Sequence, residues 1–117
     1  MISHPIPSLF SVDTPPGFRP QRLVSVGRYI LMLPDTLYAD KVEKAGHKGV
    51  HHPLMYDPVS GEVGACQPLP GGRVLAACML SSVHVLLVQY VEGVGKLVFR
   101  LLTLASQVLC VGHAYEA

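Results

Sequence analysis

The stretch LMYDPVSGEVGACQPLPGGRVLAACMLSSVHVLLVQY, residues 54–90, carries the chain's clearest turn chemistry and its longest run without a formal charge. Leu54-Met55-Tyr56 reads as a strand and residues 62–66 as the returning strand. Between them Asp57-Pro58-Val59-Ser60-Gly61 reads as a turn, with proline presetting φ and glycine free to take a positive one. A second turn falls at Pro68-Leu69-Pro70-Gly71-Gly72. Beyond it two apolar runs, 74–80 and 83–91, flank Ser81-Ser82 and read as a hairpin by their β-forming composition.

The flanks continue this pattern. In RLVSVGRYILMLP, residues 22–34, two short apolar runs flank Gly27-Arg28, which predicts a hairpin or a bulged strand ended by Pro34. Residues 35–49 hold six of the chain's seventeen acidic and basic side chains. With Asp35 or Thr36 as N-cap and Gly46 as the stop, they suit a short surface helix, a polar loop being the alternative. Glu92-Gly93-Val94-Gly95 turns the chain again. Residues 96–111 read as two strands around Ala105-Ser106, or as one helix of about four turns, because periodicity does not separate the two in so apolar a run. Residues 1–20 contain five prolines, which exclude helix and central strand and predict an extended arm. The expected fold is therefore mainly β: a small single domain of successive antiparallel hairpins over residues 21–117, preceded by the proline-rich arm. The alternative is α+β with a C-terminal helix.

Half of the 117 residues are apolar, only 15% are charged and mean hydropathy is +0.38. Polar surface is then too thin to cover a separate globule comfortably, which points to burial against a partner, an oligomer or a membrane. The net charge of +1 builds no field for nucleic acid or anionic lipid, and Arg19, Arg22 and Arg28 with Phe18 and Tyr29 form only a small basic-aromatic group. No nucleic-acid partner is expected. The three cysteines, Cys66, Cys78 and Cys110, are far apart and apolar in context, so they read as buried reduced thiols in an intracellular compartment, cytoplasmic or organellar. The amino terminus lacks a basic region ahead of a long apolar core, and a secretory signal is not expected.

Shifting the sequence by 54 residues lays Leu31, Met32 and Leu33 on Val85, Leu86 and Leu87, with Gly27-Arg28 opposite Ser81-Ser82. A period near 50 is that of a four-stranded propeller blade. The central stretch resembles a kelch repeat. Tyr56-Asp57-Pro58-Val59-Ser60 is similar to that family's Tyr-Asp-Pro-x-Thr/Ser strand end, Pro68-Leu69-Pro70 with Arg73 to its link into the next blade, and residues 83–88 to its second strand. Pro34-Asp35 and Gln89-Tyr90 stand where the family has a glycine doublet, Val63 where it has tryptophan, and the chain has room for about two blades. The resemblance implies a binding scaffold, not an activity.

Several groups were weighed for chemistry. His47, His51 and His52 cluster closely enough for metal ligation, with Asp40, Glu43 or a partner chain to complete a zinc or nickel set, against a solvated loop. Cys78 and His84 could meet across the Ser81-Ser82 turn as a thiol and its base, against a packed thiol and a satisfied histidine. Gly71-Gly72 and Gly93-Val94-Gly95 lack the Gly-Lys-Ser/Thr of a phosphate loop and read as turn glycines. Residues 74–91 are just long enough to cross a bilayer as a helix, but Ser81, Ser82, His84 and Gln89 interrupt them. No catalytic residue and no cofactor is expected. The function expected is a non-catalytic protein-interaction module or small subunit of a larger assembly, binding other chains or itself through Ile6, Leu9, Phe10, Phe18, Tyr29, Tyr56 and Tyr90. A membrane-associated subunit using residues 74–91 and a metal-binding or thiol enzyme are the alternatives.

Overall fold

The computed structural model describes residues 11–105 and 108–116. These form eight strands and one helix: β1 (Pro20–Val26), β2 (Tyr29–Pro34), α1 (Thr36–Lys44), β3 (Leu54–Tyr56), β4 (Val63–Ala65), β5 (Arg73–Ser81), β6 (His84–Val91), β7 (Lys96–Ala105) and β8 (Val108–Glu116). Every strand pairs antiparallel with its neighbour in sequence, giving two four-stranded meanders, β1-β2-β3-β4 and β5-β6-β7-β8. The mainly β expectation holds. The alternative with a C-terminal helix does not, because residues 96–105 and 108–116 are antiparallel strands paired at seven positions. A helix spanning 74–91 is likewise replaced by the β5–β6 hairpin, whose turn falls at Ser82 and Val83.

The two sheets meet along β1 and β5. Arg22 Nη2 donates to the Leu75 carbonyl at 3.0 Å, and Gly27 lies where an added Cβ would come within 3.0 Å of the Ser82 carbonyl. Both contacts advance along the chain together, so β1 and β5 run side by side in one direction. Gly27 has a φ of +56°, which a side chain would strain as well as crowd. The core fills the space the sheets enclose. Leu31, Leu33, Val85, Leu87 and Leu102 have no exposed surface and cluster with Val26, Met55 and Val74. Two of the repeat pairs, Leu31 with Val85 and Leu33 with Leu87, thus line this one core.

The chain crosses from β4 back to β5 through residues 66–72, and buried polar side chains fix that crossing. Gln89, wholly buried, donates from Nε2 to the carbonyls of Pro70 and Gly72, both at 3.1 Å, and accepts from Arg100 Nε at 2.6 Å. Thr36, at the start of α1, donates its hydroxyl to the same Gly72 carbonyl. Gly72 has a φ of +136°, and an added Cβ would stand 3.3 Å from Gln89 Cβ. The helix itself begins as its sequence dictates: Asp35 caps it by accepting from the Tyr38 amide at 3.2 Å, and Lys41 and Lys44 occupy its last turn, where positive charge suits the helix dipole.

Candidate functional site

Alternation along β6 sends Val85, Leu87 and Gln89 into the core and leaves Leu86, Val88 and Tyr90 facing away from it. Cross-strand pairing then collects the rest of that outer face. Leu86 stands between Cys78 and Leu101, Val88 between Ala76 and Phe99, and Tyr90 between Arg73 and Leu97. Arg73, at one end, is the one charged side chain among these. Leu86, Val88, Tyr90, Phe99 and Leu101 are half-buried, while Ala76, Cys78 and Leu97 are exposed. At one end the face turns polar, where His84 lies opposite Thr103 and Ser81, with Nδ1 2.8 Å from the Ser81 hydroxyl. Further apolar surface continues at the adjoining turn, Leu80 being 57% exposed and Val83 39%.

The corresponding face of the first sheet is covered at its centre, while Leu23 and Val63 at its edges, paired with Met32 and Tyr56, stay 63% and 41% exposed. Met32, Leu54 and Tyr56 are buried there beneath Phe18, with Val12 and Ile30 packed against them. Phe18 and Tyr56, two of the expected interaction residues, are therefore taken up by the chain's own packing. Tyr29 is half-buried against the core with the Arg28 guanidinium 5.2 Å from its ring centre. Tyr90 lies on the open face. Ile6, Leu9 and Phe10 lie outside the described residues. Leu86, Val88, Phe99 and Leu101 were not singled out in the sequence, although strict alternation about the buried Val85 and Leu87 would have marked the first two.

The histidine cluster disperses on folding. His47 packs over Gly17, and His52 Nδ1 lies 2.6 Å from the Cys66 carbonyl. His51 does meet both helix acids, with Nε2 2.8 Å from Asp40 Oδ1 and Nδ1 2.8 Å from Glu43 Oε2. Each ring nitrogen thus faces a carboxylate oxygen of α1. Among the described residues no group of three His, Cys, Asp or Glu side chains is placed to hold a metal ion. An open cleft of about 510 Å³ beside them, lined by Glu43, Lys48, His51, His52 and Pro68, joins α1 to the crossing segment.

The thiol pair is also not formed. Cys78 stands opposite Leu86, and His84 is bonded to Ser81. Cys66 is buried as expected, but Cys78 is exposed, since it lies on β5 opposite Leu86, on the face turned away from the core. Gly72 spends its carbonyl on Gln89 and Thr36, and Gly93-Val94-Gly95 form the β6–β7 turn, so neither run cradles phosphate.

At the opposite end of the first sheet Asp57 holds two turns together. Its carboxylate accepts from the Val59 amide at 2.9 Å and from Arg28 Nη2 at 3.0 Å, joining the β3–β4 turn to the β1–β2 turn. Loss of water around Asp57 raises its pKa, but hydrogen bonds from Val59 and Ser60 and the Arg28 charge outweigh this and hold it below the ordinary 3.8.

No protein-family model, no curated protein and no solved structure matches the chain. Among the described residues no helix is long and apolar enough to cross a membrane.

Proposed function

We propose that the chain is a non-catalytic protein-interaction module, a small subunit that docks through the outer face of its second sheet. The observation that carries this reading is the run of uncharged, partly exposed side chains Ala76, Cys78, Leu86, Val88, Phe99 and Leu101 across three strands, set against the centre of the first sheet's outer face, which Phe18 covers. A contiguous apolar patch on a sheet is stabilised when another protein surface removes it from water. Each sheet is an up-and-down meander of four strands, the strand order of a propeller blade, and this supports carrying the kelch resemblance forward as a proposal of a blade-like binding scaffold. The Tyr56-Asp57-Pro58-Val59-Ser60 motif falls at the end of β3 and in the turn after it, and residues 84–88 of the second-strand motif fall in β6.

The test is native size determination of the tagged full chain in cell extract, wild type against Val88→Asp. The wild type is expected in a complex larger than the 12.6 kDa chain, and the variant as the free chain. A wild type that runs as the free chain, unaffected by the substitution, contradicts the reading.

A further inference from the structure

We propose that the cleft between α1, the entry to β1 and the start of β5 binds a small phosphate monoester through Arg19, Lys41 and Arg73. The inference does not rest on the interaction-module reading, since the cleft meets the docking face only at Arg73.

Backbone contacts gather the three cations, which come from three different elements. The Asp35 amide donates to the Arg19 carbonyl at 2.7 Å, which fixes the residue before β1 beside the first turn of α1. Thr36 donates its hydroxyl to the Gly72 carbonyl, which fixes the residue before Arg73 there as well. Lys41 extends from the helix itself. With Asp35, Leu37 and Tyr38 these cations line an open cleft of about 340 Å³. Small-molecule sites span roughly 300–1,000 Å³, so the cleft has the size for a small ligand. The acids that could have neutralised it are engaged elsewhere: Asp40 and Glu43, the two acids of α1, turn to His51, and Asp57 takes Arg28. Among the described residues none of the three cations forms an ion pair. Asp35 is the one carboxylate in the lining, and its Oδ1 accepts from the Tyr38 amide.

Three positive charges against one negative suit a doubly charged ligand. A phosphate monoester has that charge above its second pKa of about 6, whereas a carboxylate or a sulfate ester carries only one. The Arg19 guanidinium lies 5.0 Å over the Tyr38 ring, an arrangement that orients a planar N–H fork suited to phosphate oxygens. Leu37, 45% exposed, offers the organic part of the ligand an apolar wall. A net charge of +1 supports no extended basic track, which favours a small ligand over a nucleic acid.

Nuclear magnetic resonance titration of the full chain with phenyl phosphate, in phosphate-free buffer of low salt at about pH 7.5, tests this against phenyl sulfate, its singly charged analogue. Wild type is compared with Lys41→Gln, Arg73→Gln and, as a control, Lys48→Gln in the exposed loop after α1, each checked for fold by circular dichroism. Phenyl phosphate is expected to shift the amides of Tyr38, Lys41 and Arg73 saturably and to bind about tenfold more tightly than phenyl sulfate. Lys41→Gln and Arg73→Gln should each weaken it about tenfold, the worth of one charge-assisted hydrogen bond, while Lys48→Gln should leave it unchanged. The two variants lie on different elements, so one decides the question should the other disturb the fold. No saturable shift, equal binding of the two esters, or a loss as large in Lys48→Gln overturns the proposal. Binding of a phosphoserine peptide by a chain that ignores phenyl phosphate also overturns it, and assigns the cleft to a phosphorylated protein instead.

Discussion

Turned away from the core, the first sheet presents Ile30, Met32, Leu54 and Tyr56 to Phe18 and Val12 of the chain's own amino-terminal segment. The second presents Leu86, Val88, Phe99 and Leu101, all of them only partly buried. Both faces are apolar, so composition alone does not distinguish a core from a docking surface; the presence of cover does. Burying one large apolar side chain is worth about 1.5–3 kcal/mol, and the first sheet collects that gain within the folded chain. The partly exposed side chains of the second sheet collect less of that gain within the folded chain.

The sharpest way to break this contrast is to uncover the first sheet. Phe18→Ala is expected to cost about 3 kcal/mol in urea unfolding, whereas Phe99→Ala on the open face should cost the monomer about 1 kcal/mol or less. Equal losses at the two positions would mean that the faces are finished alike. Next in size is the crossing between the sheets. Gln89→Leu keeps the volume but strands the Pro70 and Gly72 carbonyls and Arg100 Nε, and a loss of about 1–3 kcal/mol is expected by the same measurement. A neutral result would show that the sheets hold together by apolar contact alone. Asp35→Ala removes the cap of α1, for an expected loss of about 1 kcal/mol and a small drop in helical circular dichroism.

The smallest effect is the pH dependence of the Asp57 staple. Its folded pKa lies below the unfolded value, so its contribution is fully present above 3.8 and is lost as pH falls through the folded value. Asp57→Asn should flatten that part of the acid limb of the urea midpoint against pH. An unchanged slope would assign the acid sensitivity elsewhere.

Much of this fold is legible in the sequence because local chemistry decides it. Gly27-Arg28, Asp57 to Gly61 and Glu92 to Gly95 turn where their residue types require, and Asp35 and Gly46 bracket α1. The partition of the strands into two sheets is not local. A separation of 54 links Leu31 to Val85, but Met55 and Gly64, paired in turn beside Leu31, correspond to Leu102 and Val111 at a separation of 47. The first meander spends the extra residues on α1 and its loop where the second has only a tight turn, so no single offset shows the whole repeat. The candidate face was hidden for a related reason. Residues 74–91 are apolar on both sides, and only the packing of Val85 and Leu87 into the core reveals that Leu86 and Val88 are left outside. The histidines were misleading in the opposite way, since closeness in sequence placed His47, His51 and His52 on three different partners.

Cys78 offers the most direct measurement of what covers the second sheet, because its thiol is exposed on the face while that of Cys66 is buried. Maleimide labelling, with modified sites located by peptide mass spectrometry, should be slower at Cys78 of the tagged chain in cell extract than of the purified chain, and should stay fast in Val88→Asp. Labelling of Cys78 that is equally fast in extract and in isolation, in both proteins, would contradict a face closed by another protein surface.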